Sequence, residues 1–355
     1  MNTKTILLAT SALALLAACS KSEVLPVESA PQEITFQTVE TKDASSFSTD
    51  NKFYSYAYFL PSDKILANGN SWATNYANGT PYISGSLIEY VSGETAWRNA
   101  STHYYWPKQG QLTFFAWTDY TASPSINGSS ASVSCANNTG ITFGNYSITD
   151  NLNKDLMVAD MVADQSTNTT QIGSWKKGVP AVFKHVLSDL VFTVMTDETK
   201  SKNDYPDGMF KLQSIKLKNV NTKGDYTQGS PTANTAPWSN QGTTATLSAY
   251  SGDAITVTET AQTVVPSTND YHIVLPQTFS DATPVIEVVY TITTNYTTTP
   301  VVETVTVTKA LNTIYTDNWA SGKKYTLNII LGLEEILWDP SYEDWATGTG
   351  GEINI

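Results

Sequence analysis

The chain has 355 residues and a formal charge of −13, with 20 lysines and arginines against 33 aspartates and glutamates. That length has room for two domains of ordinary size, and the acidic balance makes nucleic acid a poor partner. Charged residues are only 15% of the chain while Thr, Asn, Ser and Tyr are abundant, which suits half-buried strands joined by polar loops and leads us to expect an all-β protein.

At the N-terminus, Lys4 precedes an apolar run from Ile6 to Ala18 that closes as Leu16-Ala17-Ala18-Cys19. This is the pattern of an export signal. At ~1.5 Å per residue the run reaches about 20 Å, short of the ~30 Å of a bilayer core, so a permanent transmembrane helix is not expected. The segment resembles a bacterial lipoprotein signal, which implies cleavage before Cys19, acylation of its thiol and new amino terminus, and anchoring in the outer membrane. The other reading is an ordinary secretory signal that carries a cysteine. From Cys19 onward there are 19 cations against 33 anions, because residues 1–18 contribute only Lys4. With Cys19 acylated, Cys135 is the one remaining thiol and no intramolecular disulfide can form. Stability must then come from packing.

Residues 19–32 read as a polar, Pro-containing tether. In the strand Glu33 to Val39, Ile34 and Phe36 share one face. Polar residues 40–51 end it. Phe53 to Phe59 alternates, with Tyr54, Tyr56 and Tyr58 on one side; residues 61–100 are read as loop-rich, with Asn-Gly turns at 68–69 and 78–79. Strands are expected at His103 to Trp106 and Gln111 to Trp117, joined as a hairpin through residues 107–110; residues 123–138 read as a surface loop and Asp155 to Ala159 as a short strand.

The polar stretch 164–178 suggests a boundary between a domain at 33–172 and a second at 173–355. Beyond it lie apolar runs around His185, then Phe210 to Val220, whose phase changes between Leu212 and Ile215 as a bulge would make it, and a turn at Gly224. Further strands are expected at residues 271–275, 285–293, 301–308 and 325–333. This spacing fits two successive β-sandwiches.

Tyr104-Tyr105-Trp106-Pro107, Leu112 to Trp117, Asp155 to Ala159, Phe183-Lys184-His185, Leu275-Pro276-Gln277, Trp319 with Gly322 to Tyr325, and Trp338 to Trp345 occur in this order. Together they resemble the fimbrillin family. That resemblance implies two transthyretin-like β-sandwich domains in a subunit of type V pili, exported as a lipoprotein and contributing to adhesion. It also implies assembly by strand exchange: a protease removes the first strand, here with Ile34 and Phe36, and a neighbouring subunit's strand fills the groove. Ile353 and Ile355 alternate with Glu352 and Asn354 and mark residues 343–355 as the candidate donor. Polymerising members usually carry an arginine after the first strand, whereas the single arginine here is Arg98 and Lys42 stands at roughly that position. Three readings stay open: processing at Lys42, a subunit that keeps its lipid as an anchor, or a monomeric surface lipoprotein that acts as an adhesin or glycan-binding module toward host or bacterial surface ligands.

Nothing in the sequence calls for an enzyme or a cofactor. His103, His185 and His272 lie far apart with no metal-ligand spacing, and no nucleophile elbow or phosphate-binding glycine loop is present. Residues 151–155 lack the glycine and distal glutamate of a calcium loop. Most of the nine tryptophans and nineteen tyrosines sit in expected strands, so core roles are expected. Trp72, Tyr76 and Tyr82, in the loop-rich stretch, are the better candidates for exposed sugar contact.

Overall fold

The computed structural model describes residues 31–40, 47–166, 178–280, 283–294, 299–315, 318–333 and 336–345. Most of them are extended. In chain order, β1 (Phe36–Glu40), β2 (Phe53–Leu60), β3 (Thr80–Val91), β4 (Ala96–Arg98) and β5 (Gln111–Thr118) precede the hairpin β6 (Ser132–Ala136) and β7 (Gly140–Ser147). Next come β8 (Met157–Ala159), β9 (Val162–Gln165), β10 (Val179–His185), β11 (Ser188–Thr196) and the long pair β12 (Phe210–Thr227) and β13 (Trp238–Tyr250). Short strands β14 (Ile255–Thr256), β15 (Gln262–Thr263) and β16 (Ile273–Val274) lead to β17 (Val285–Thr294), β18 (Val301–Ala310), β19 (Lys323–Leu331) and β20 (Leu337–Asp344). Among the described residues, helix is confined to α1 (Ser71–Asn75), α2 (Leu311–Ile314) and two single 3-10 turns. The all-β expectation holds, and among the described residues no helix is long and apolar enough to cross a membrane.

The first sheet runs β2-β3-β4-β1-β10-β8-β5-β9, and because β2 also pairs with β5 the strand path returns on itself as a barrel. Phe36, Phe53, Ile83, Leu112, Phe114 and Phe183 fill its interior. The second sheet runs β15-β11-β19-β20 and the third β18-β17-β12-β7-β6. Their apolar faces meet in a larger core that includes Phe192, Ile215, Leu217, Val288, Leu327 and Ile329. β5 serves both cores. Leu112, Phe114 and Ala116 point into the barrel while Phe115 and Trp117 belong to the larger core, so its near-continuous apolar run reflects burial on both faces.

Several local expectations are corrected. The stretch read as loop-rich contains the twelve-residue β3. Its buried Ile83 and Ile88 stand at an odd spacing, because β3 is bulged against β2 near Gly85, which has φ +70°. Ser132 to Ala136, inside the expected surface loop, is β6, paired with β7. Gly224 is not a turn but lies within β12, opposite Tyr146. Residues 103–106 form no strand and pair only through the bridge Glu33↔Tyr105. The expected bulge is present: the β12–β17 register slips between Leu212 and Ser214. Strands on either side of residues 164–178 share sheets, since β10 lies in the barrel and the β6–β7 hairpin joins β12. From Gln32 onward the chain groups as one unit.

One buried carboxylate ties the loop before β16 to the end of β13. Asp270 is fully buried and accepts hydrogen bonds from the Ser248 hydroxyl (2.6 Å), the Ser251 amide and hydroxyl (2.8 and 2.7 Å) and the Ser267 amide (2.8 Å). Burial opposes its charge, but these donors outweigh burial and hold the carboxyl below the ordinary carboxylate range. A lowered folded-state pKa means stability that is present above the unfolded value, about 3.9, and lost as pH falls through the folded value. Asp270→Asn should therefore lower the thermal midpoint at neutral pH, and its deficit against the parent should shrink below about pH 4. A deficit that stays constant down to pH 2 would show that the charge contributes nothing.

Candidate functional site

β1 enters the barrel through residues 32–35. The Gln32 carbonyl accepts from the Trp106 amide (2.9 Å), the Ile34 amide donates to the Tyr104 carbonyl (2.8 Å) and the Thr35 carbonyl accepts from the Val179 amide (2.8 Å). From Phe36 to Glu40 the strand runs parallel to β10, with Phe36 opposite Val179 and Glu40 opposite Phe183. On its other side Phe36 pairs antiparallel with Trp97 of β4. β1 is the strand through which β4 and β10 are joined. Parallel pairing of segments about 140 residues apart needs close backbone approach, and Gly178 permits it. Its φ is +116°, and a Cβ there would stand 2.7 Å from the Thr35 carbonyl oxygen.

Side chains complete the seat. Ile34 is 2% exposed and Phe36 4%, and burial of such groups contributes on the order of 1.5–3 kcal/mol each. Phe36 meets Phe53 and Phe114 edge-on, with ring centroids 5.6 and 5.8 Å apart, an arrangement that adds to simple burial. At the strand's entrance the Glu33 carboxylate lies 2.7 Å from Nδ1 of His103 and 3.8 Å from Nε of Arg98. Arg98 itself is engaged by the Glu94 carboxylate and the Asn99 carbonyl. Further along the chain, Phe47 is buried against Trp97, Tyr120 and Phe183. Ile34, Phe36 and Phe47 thus share one core, and Phe47 lies outside β1.

The profile of the fimbrillin-like family matches residues 31–345. The chain belongs to the fimbrillin-like family. Among solved structures, a fimbrial protein from Bacteroides vulgatus is similar at 18% identity and a TM-score of 0.61, over 89% of this chain and 100% of that one. The tip fimbrial protein Mfa3 from Porphyromonas gingivalis is matched at 12% identity and a TM-score of 0.37, over 88% and 100%. Among curated proteins none matches.

In this fimbrillin-like chain the residues singled out from sequence fall into two groups. Ile34 and Phe36 are brought together with Phe47, Val179, Ala181 and Phe183 in the barrel core. Cys19, Lys42, Ile353 and Ile355 lie outside the described residues. The first residues of the candidate donor have another position: Glu343 and Asp344 end β20, opposite Lys324 and Lys323. Trp345 then stacks on His185 at 4.0 Å between ring centroids and 9° between planes. Gly178 and Phe47 were not recognised from sequence. The signal for Gly178 was the glycine standing just before the alternation of β10; Phe47 is an isolated aromatic among polar residues and carries no local pattern.

Each histidine faces a carboxylate: His103 faces Glu33, His185 faces Asp155 at 2.6 Å and His272 faces Asp189 at 3.2 Å. No group of three or more potential metal ligands occurs among the described residues. Burial pushes the Cys135 thiol up to about 12, which keeps it from acting as a nucleophile near neutral pH. Trp72 is not an exposed sugar platform. It is fully buried, with its indole N–H donating to Ser230 (3.1 Å) and its amide to Asp164 (2.8 Å). Tyr76 packs half-buried against the larger core, and Tyr82 alone of the three reaches the surface, its hydroxyl donating to the Tyr105 carbonyl.

Gly178→Ala should press a methyl group into the β1 backbone and lower global stability by about 1–3 kcal/mol. Amide exchange should rise first at Gln37 to Glu40, ahead of β2 and β5. Unchanged exchange in β1 would remove Gly178 from the seat.

Proposed function

We propose that this chain is a structural, non-enzymatic subunit of a cell-surface pilus, in which β1 is a resident strand exchanged for one from a neighbouring subunit. The observation that carries the reading is the position of β1 between β4 and β10. Its removal would leave unpaired backbone groups on both neighbours and uncover Phe53, Phe114, Val179 and Phe183. An open groove of this kind gains both backbone hydrogen bonds and side-chain burial from an incoming strand. Membership of the fimbrillin-like family supports the same reading, as does likeness in fold to a fimbrial protein.

Export uses the signal at residues 1–18, Cys19 is acylated and holds the precursor at the outer membrane, and a cut near Lys42 separates the strand from the barrel. A cut within residues 41–46 would release β1 yet leave Phe47 packed on Phe183, so the remaining chain would keep its anchor at the groove. The donor is the segment from 346 to 355, with Ile353 and Ile355 taking the places of Ile34 and Phe36 in the next subunit. Assembled subunits contribute to adhesion at the cell surface.

The N-terminal sequence and intact mass of protein recovered from the cell surface test the processing step. A chain beginning between residues 41 and 47 is expected. A chain beginning at acylated Cys19 would overturn the polymerising reading in favour of an anchor or a monomeric surface lipoprotein.

Deletion of residues 346–355 tests the donor. Because β20 and the Trp345 stack remain, the thermal midpoint should stay within a few degrees of the parent while ladders of multimers disappear from surface extracts. Ladders that persist would remove the donor assignment.

A further inference from the structure

β18 ends the third sheet. It pairs with β17 along its whole length, from Val285↔Ala310 to Thr294↔Val301, and with no other strand among the described residues. Its outer edge therefore presents backbone N–H and C=O groups to solvent. Edge strands are usually short or protected by proline and charge. β20, at the end of the second sheet, carries Pro340 with Asp339, Glu343 and Asp344, and β6, at the opposite end of the third, has five residues. β18 has ten residues, no proline and two charges, and Val301 and Val302 are 53% and 60% exposed.

The order of those residues is specific. Around Thr306 the strand reads nearly the same in both directions: Val302-Glu303-Thr304-Val305-Thr306-Val307-Thr308-Lys309-Ala310. The one mirrored pair that differs in charge, Glu303 and Lys309, has opposite signs. Two copies laid antiparallel about a two-fold axis through Thr306 would place each Glu303 opposite Lys309 of the other copy. Thr304 would face Thr308 and Val305 would face Val307. Cross-strand pairs of opposite charge, of threonines and of β-branched residues all favour antiparallel pairing, while like charges directly opposite oppose it. Sliding the register so that Glu303 faces Glu303, or Lys309 faces Lys309, brings like charges together, so charge selects the centred register. Val305 and Val307 pack against the larger core, so alternation puts Glu303 and Lys309 on that same face at the two ends of the strand.

We propose that β18 is a self-association edge, through which two copies of this chain join their third sheets by antiparallel pairing centred on Thr306. The interface uses neither β1 nor the C-terminal segment, and it would link subunits side by side whether or not strand exchange occurs.

Charge reversal in the full chain tests this by sedimentation velocity over a concentration series. Glu303→Lys and Lys309→Glu each place two like-charged pairs in the dimer and should weaken it by about tenfold or more. Both side chains are exposed, so the thermal midpoint should not move. Mixing the two single variants creates two opposite-charge pairs and should restore association as a heterodimer, and the double variant should restore it alone. Thr306→Cys, in a chain with Cys19→Ser and Cys135→Ala, should cross-link to itself on mild oxidation. A parent that stays monomeric, a dimer indifferent to every charge change, or single variants that fail to associate when mixed would each overturn the proposal. So would a dimer that forms only after residues 346–355 are removed, since the edge would then be covered by the chain's own C-terminal segment.

Discussion

Between β4 and β10 the barrel has room for one strand, and β1 fills it by making two kinds of ladder at once. It lies parallel to β10 through five paired positions and touches β4 antiparallel at Phe36. A barrel has no exposed edge only while every stave is present. Ile34 and Phe36 are therefore more than two buried apolar residues, because the hydrogen bonding of both neighbours depends on the strand that carries them. Gly178 sets how closely that strand can approach.

The rest of the molecule is arranged so that this dependence stays local. β2 and β5 stand as a common wall, giving alternate side chains to the barrel and to the larger core. The larger core draws its remaining apolar side chains mainly from the second and third sheets, and among the described side chains β1 contributes none of them. Opening the barrel at β1 would expose one interior and leave the other closed. The strand exchange proposed above would rely on that separation, since the rest must remain folded while the groove is empty.

The outer edges of the second and third sheets differ in kind. β20 is acidic and interrupted by Pro340, which fits a strand that should pair once, with β19, and no further. β18 carries threonine and valine with one charge of each sign, a composition that invites further pairing and a charge order that chooses the register. The two edges bracket the range between a protected surface and an adhesive one.

Much of the strand content was legible from alternation alone, because side-chain direction with period two is a local property. Phe53 to Phe59 and the core face that Tyr325 shares with Leu327, Ile329 and Leu331 follow from it, and so does the bulge after Leu212, where the phase changes. Alternation failed where the backbone departs from ideal pleating, as in β3, whose bulge near Gly85 hides the common burial of Ile83 and Ile88. It failed again at Gly224, which reads as a turn but is held inside an eighteen-residue strand by Tyr146 of β7. At the candidate site, sequence alone showed that Ile34 and Phe36 form an apolar face on a strand. That this strand lies against β10, that Phe47 shares its core and that Trp72 is buried under residues from β9 and beyond were decided by tertiary structure. The physical reason is that a pleat dictates which side a residue faces, whereas the partner that covers that side comes from a segment whose distance along the chain leaves no local trace.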